Sequence, residues 1–139
     1  MAHSRLRVAL LGSALWILAF VMAGPALAHH SVQAEFDVHK VITITGTVAK
    51  VEFINPHSYL TVDVKDADGT VQHWAFEMGG IGTFRRAGMT KADRDDFKPG
   101  LPITITGLAA KDGSTTGHLS EMKFGDGRVF KFGADPNGN

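Results

Sequence analysis

The sequence predicts an all-β domain with one short helix, folded as an OB-like barrel of five to six strands. Three observations predict it. From Val41 onward apolar residues alternate with period two; Gly-containing turns separate the alternating runs; and the single helical stretch falls between the third and fourth strands. That helix position is the OB-type order, in which the helix sits before the fourth strand. The alternative architecture is an open β-sandwich, which the helix position disfavours.

The strands follow in order. Ile42, Ile44, Gly46 and Val48 share one face, whereas Val51 and Phe53 share a face of opposite parity. A bulge at Ala49-Lys50 returns both sets to one core and bends a long first strand. Leu60, Val62 and Val64 form the inward set of the second strand, and Trp74 and Phe76 that of the third. A three-residue turn Ala67-Asp68-Gly69, with Gly69 left-handed, sets Val62 opposite Trp74 and Leu60 opposite Phe76. The same register places Asp63 opposite His73 on the outer face.

The helical stretch carries Ile81, Phe84 and Gly88 on one face and exposes Arg85 and Arg86. Thr90 with Asp93 reads as a capping box for one further turn. After the turn Lys98-Pro99-Gly100, a fourth strand presents Leu101, Ile103, Ile105 and Gly107 inward. Asp112-Gly113 opens a loop, and a last hairpin joins Leu119–Phe124 to Val129–Phe132 through Gly125-Asp126-Gly127.

Ahead of this domain stands an export signal. Arg5 and Arg7 precede the apolar stretch Val8–Ala23, Gly24-Pro25 breaks it, and Ala26-Leu27-Ala28 supplies small residues for signal peptidase. The apolar stretch falls short of the ~20 residues that a spanning helix needs. The expectation is cleavage after Ala28 and residence in the periplasm, with no membrane attachment afterwards. The organisation is then a signal peptide over 1–28, an N-terminal arm over 29–40, the barrel over 41–132 and a tail over 133–139. Loss of Arg5 and Arg7 lowers the 14 Lys+Arg to 12 against 14 Asp+Glu. That balance gives no electrostatic case for nucleic acid. There is no cysteine, so stability rests on core burial without disulfides.

Seven histidines are present, and His29, His30, His39, His57, His73 and His118 lie beyond the cleavage point. Cleavage makes His29 the first residue, so its α-amine and imidazole can close one chelate ring on a metal. His30 follows it directly. His57 lies in Ile54-Asn55-Pro56-His57-Ser58, where Pro56 stiffens the turn. An amine with two or three neutral imidazoles favours Cu(II), at the top of the divalent series. His29, His30 and His57 are therefore the candidate metal ligands. A competing explanation is that a His-His terminus takes up copper in any flexible peptide. His73 reads as a surface pair with Asp63, His39 as part of a solvated strand start, and His118 has no partner legible in the sequence.

Enzyme signatures are absent: no cysteine nucleophile, no Gly-x-Ser-x-Gly and no His-Glu-x-x-His. The run Met78-Gly79-Gly80-Ile81-Gly82-Thr83 lacks the P-loop lysine and reads as a strand-to-helix turn. Glu77 reads as an exposed carboxylate beside it.

Taken together, His29-His30-Ser31, Phe36-Asp37, Gly46-Thr47-Val48, Asn55-Pro56-His57, Trp74-x-x-Glu77, Arg86-x-Gly88 and Lys98-Pro99-Gly100 resemble a family of short exported proteobacterial proteins. That family is classed only as a domain of unknown function. The resemblance implies a periplasmic location and an OB-like fold, and carries no activity to transfer. The N-terminal histidine also resembles that of exported copper proteins with a histidine brace, a likeness one residue deep. Three functions compete. One is a non-catalytic binding module for a small ligand or periplasmic protein, presenting Tyr59, Thr61, His73 and Glu77 outward. The second is Cu(II) binding or delivery, and the third an oxidative copper enzyme. No cofactor is assured by the sequence; Cu(II) is the one it suggests.

Overall fold

The computed structural model describes residues 32–133. The expected signal peptide over 1–28, His29, His30, Ser31 and residues 134–139 of the tail lie outside the described residues. The chain opens with a helical turn, α1 (Val32–Glu35), that runs directly into the long strand β1 (Phe36–Glu52). β1 thus starts five residues before Val41, because Phe36 pairs with Ala110 and is buried. The remaining elements are β2 (His57–Lys65), β3 (Val71–Gly79), α2 (Ile81–Arg86), α3 (Lys91–Asp95), β4 (Pro102–Ala110), β5 (Thr116–Phe124) and β6 (Val129–Lys131).

The six strands form one sheet in the order β3-β2-β1-β4-β5-β6, and β3 also pairs with β5. Hydrogen bonding therefore runs in a ring, β1-β2-β3-β5-β4 and back to β1, which is the OB-type arrangement. β1 makes this possible by bending. Its early residues pair with β4 and its late residues with β2, and the register slips between Val48 and Lys50. Ala49 is the bulged residue, so Val48 and Val51 both pack in the core despite their parity.

The β2–β3 hairpin has the register that the turn chemistry predicts. Val62 faces Trp74, Leu60 faces Phe76 and Asp63 faces His73. Asp66 and Thr70 close the hairpin around Ala67, Asp68 and Gly69, with Gly69 at φ +90°. Phe76 is fully buried, whereas Trp74 is half-buried and stacks on it at 6.1 Å. Phe76 is thus the central anchor, and Trp74 lies towards the edge of the core.

The closing contact is parallel. Ala75, Phe76 and Glu77 pair with Thr116, Gly117 and His118. Gly117 allows it: a Cβ there would lie 2.7 Å from the Phe76 ring. The helices between β3 and β4 insert Phe84, Met89 and Phe97 into the core, where edge-on aromatic contacts link Phe53, Phe84, Phe97 and Phe124. Ile81, expected on the buried face of α2, is instead 38% exposed, because the six-residue helix turns only Phe84 inward. The Thr90–Asp93 capping box is present at α3.

A second, smaller apolar cluster sits on the outside of the barrel. The register of β4 against β5 slips between Thr106 and Gly107, and Leu108 and Ala110 are buried there against Phe36. Val32 and Val38 pack on the same cluster. Lys111 fastens the arm: its backbone N–H donates to Glu35 O and its Nζ donates to Gln33 O. The N-terminal segment therefore lies across β4 near the start of β5.

Candidate functional site

The outer face of β2, β3 and β5 carries a row of titratable side chains. His57 is the first residue of β2, and the loop before it is held from two sides. Ser58, fully buried, donates its hydroxyl to Ile54 O at 3.1 Å. Asn55 Oδ1 accepts from the Ile81 N–H at 3.1 Å, so the loop side chain serves the start of α2. Gly80 lets the two segments approach, since a Cβ there would lie 2.5 Å from Asn55 Oδ1. The Asn55–Pro56 peptide bond is cis. His57 is thus fixed at a strand end, half-buried, rather than displayed on the stiff loop itself.

His57 Nδ1 lies 2.7 Å from Glu77 Oε1. In the sheet Glu77 is directly opposite Tyr59 and diagonal to His57, the spacing at which long side chains meet across strands. The Glu77 side chain retains only 18% of its exposure, so it is not the open carboxylate that its sequence position suggests. On its other side, the parallel pairing with β5 sets His118 level with it.

His118 also has neighbours that the sequence did not reveal. The Phe36 ring from the arm packs on its imidazole, with centroids 5.5 Å apart. Its antiparallel partner on β4 is Leu108, a member of the outer apolar cluster. Burial pushes the His118 imidazole below its usual pKa; the Glu77 charge opposes this shift and the nearby His57 adds to it. At neutral pH His118 is therefore an uncharged imidazole, with one nitrogen able to donate and the other to accept.

The row reads Phe36, His118, Glu77, His57 across four strands, with Tyr59 exposed at its rim. A profile of the family of unknown function DUF6152 matches residues 18–120. The chain is a DUF6152 protein. The match spans every member of the row. No curated protein and no solved structure matches this DUF6152 chain.

Of the three candidate ligands, only His57 falls within the described residues, and it stands in the row. His73 is bonded to Asp63 at 2.6 Å on the same outer face of this DUF6152 chain. That pair sits six residues along β2 from His57, about 20 Å away in an extended strand. His39 is exposed on the arm, with its backbone N–H bonded to Asp37. The described residues of the DUF6152 chain contain no group of three His, Asp or Glu side chains placed to hold a metal by themselves. His118 is the member that the sequence does not single out, whereas Glu77 is among the residues expected on the outward binding face. Strand parity put Glu77 on the outer face, but nothing local signals that β5 runs beside it.

A different polar cluster fastens the hairpin of β5 and β6 to α3. Arg128 bonds Asp93, Asp96 and Asp126 and lies 4.8 Å over the Phe124 ring. Hydrogen bonds from Thr90, with Arg128 behind them, hold the Asp93 carboxyl below the usual carboxylate range. This clamp joins α3 to the β5–β6 hairpin, with all three carboxylates engaged by Arg128.

Proposed function

We propose that this protein is a small non-catalytic binding module of the periplasm, freed from its signal peptide after Ala28, and that its small ligand presents a cationic group to the His57–Glu77–His118 row. One observation carries the reading: a carboxylate only 18% exposed is set between two imidazoles, and its side-chain partner is His57 rather than a lysine or arginine. Sequestering a carboxylate without a permanent cation is costly. A cation arriving from solvent offsets that cost. The absence of any nucleophile motif in the sequence agrees with binding rather than catalysis.

The test is a titration of the mature protein with methylamine, a small cationic probe, followed by NMR of the histidine ring protons. The signals of His57 and His118 are expected to move together along one saturable curve, while those of His39 and His73 stay in place. Equal movement of all four would mean unspecific uptake and would sink the reading. The location is tested separately: the intact mass of the periplasmic protein should correspond to residues 29–139.

The narrower reading, Cu(II) binding or delivery through His29, His30 and His57, is favoured by one further observation. Val32, three residues after His29, packs on the Phe36–Leu108–Ala110 cluster that adjoins His118. Val32, the first described residue, is thereby held near the row.

A further inference from the structure

Tyr59 is the direct cross-strand neighbour of Glu77 on β3 and of Glu52 on β1. Directly opposed residues share one face of a sheet, with Cβ atoms about 5 Å apart. The Tyr59 side chain therefore stands on the outer face between two carboxylates. The two carboxylates differ. Glu52 is engaged by Lys50 on its own strand at 2.9 Å, out in solvent, so a permanent cation already answers its charge. Glu77 is paired with the His57 imidazole and largely covered, which makes it the carboxylate that a charge from solvent would serve.

Every other aromatic ring among the described residues is buried or half-buried, and Tyr59 alone is exposed. A single exposed tyrosine is ordinary; its register beside Glu77 is what points to a ligand. The space next to it is uneven. On β3 the outer positions flanking Glu77 are Gly79, opposite His57, and Ala75, opposite Thr61. The Gly79 side is filled from α2, because a Cβ there would collide with the Thr83 side chain. The other side is low: Ala75 is exposed and adds one methyl group, and Thr61 is short. A small group can rest on this floor against the Tyr59 ring.

The acceptors at hand decide which cation fits. A primary ammonium carries three donors and is strongly hydrated, yet the row offers it one carboxylate whose Oε1 already meets His57 Nδ1. A quaternary ammonium carries no donor, spreads its charge over methyl groups and is attracted by the negative face of an aromatic ring. We propose that the cationic group taken at the row is a quaternary ammonium, its methyl groups against the Tyr59 ring and its charge beside Glu77. This rests on the cation-binding reading above and adds the chemical class of the cation and the residue that selects it. Tyr59 sets specificity, Glu77 supplies the opposite charge, and the Lys50–Glu52 pair borders the site on β1.

Tyr59 is the single tyrosine of the chain, so its ring protons report on the site without ambiguity. The experiment titrates the protein with tetramethylammonium, methylamine and uncharged tert-butanol, following Tyr59, His57 and His118 by NMR. The titrations are repeated in Tyr59→Phe, Tyr59→Leu and Glu77→Gln. Tetramethylammonium should bind more tightly than methylamine, with its methyl signal moved upfield by the tyrosine ring current, and tert-butanol should leave all three residues in place. Tyr59→Phe keeps the ring and should bind tetramethylammonium as the parent does. Tyr59→Leu keeps apolar bulk at an exposed strand position and should lose about 5–30-fold, the range of a cation on an aromatic face. If methylamine binds as tightly as tetramethylammonium, or Tyr59→Leu keeps the parent's affinity, the ring does not select the ligand and this proposal fails. A loss in Tyr59→Phe equal to that in Tyr59→Leu would assign the effect to the hydroxyl and overturn it too. The cation-binding reading survives these outcomes if Glu77→Gln weakens both cations. If tert-butanol binds as well as tetramethylammonium, or neither cation moves the His57 and His118 signals, both readings fall.

Discussion

Two histidine–carboxylate pairs join β2 to β3, and they differ in almost everything except chemistry. His73 and Asp63 sit directly opposite one another at 2.6 Å, with side chains 69% and 36% exposed. His57 and Glu77 are diagonal partners at 2.7 Å, with side chains 35% and 18% exposed. The strands and the distance are the same, yet only the second pair is covered. The cause lies outside the hairpin: β5 closes on β3 at Glu77, and Phe36 of the arm packs over His118 beside it. An exposed pair is screened by water and contributes little, whereas a sequestered one has its partners set by the fold. The difference teaches that a functional site here follows from the ring closure, and that pairing geometry alone does not identify it.

The comparison can be broken at its frame first. Phe76 lies between the two pairs on β3, is fully buried and packs against Gly117 at the closure. Phe76→Ala should cost about 3–5 kcal/mol in denaturant unfolding, and Trp74→Ala clearly less, because Trp74 is half-buried. Equal costs would mean that the core is centred elsewhere. The next largest effect separates the pairs themselves. Glu77→Ala leaves His57 without its partner and should cost about 1–3 kcal/mol, whereas Asp63→Ala should cost under ~1 kcal/mol. If the two losses were alike, the covering of Glu77 by β5 would have no energetic consequence.

A subtler effect is carried by pH. The folded His118 holds its pKa below the ordinary value of 6.5 because burial disfavours its charged form. The unfolded chain then binds more protons than the folded one as pH falls through that range, so stability rises with pH there. The contribution is fully present above about pH 6.5 and is lost as the solution is acidified towards the folded value. His118→Gln should flatten that part of the stability–pH curve; an unchanged curve would mean that the imidazole is not sequestered. The smallest effect is local. Phe36→Ala should let water reach His118 and return its NMR titration midpoint towards 6.5; an unchanged midpoint would assign the burial to Leu108 and β4 instead.

Much of the frame was legible in the residues. The parity change between Val48 and Val51 located the bulge, and the register of Leu60, Val62, Trp74 and Phe76 followed from the length of the turn at Gly69. Both are local signals, because a bulge or a hairpin is set by residues adjacent in the chain. The limits appear where burial depends on distant segments. Ile81 carries the apolar character of a core residue and is exposed, and Glu77 has the charge of a surface residue and is largely covered. Phe36, assigned to an arm outside the barrel, opens β1 and covers His118.

By itself, then, the sequence determined the all-β class, the helix position between the third and fourth strands, the register of the β2–β3 hairpin and the placing of His57 at a proline-bounded loop. Each depends on alternation, turn chemistry and parity within a few residues. Only the tertiary structure decided which histidine His57 stands beside. The parallel contact of β3 with β5 joins positions far apart in the chain; at its edge the Thr115 hydroxyl donates to His73 O across 42 residues. No alternation pattern encodes such a pairing, because it arises only when the bent β1 closes the ring. Glu77 and His118 each look like an ordinary polar residue of a strand, and they become neighbours through that closure alone.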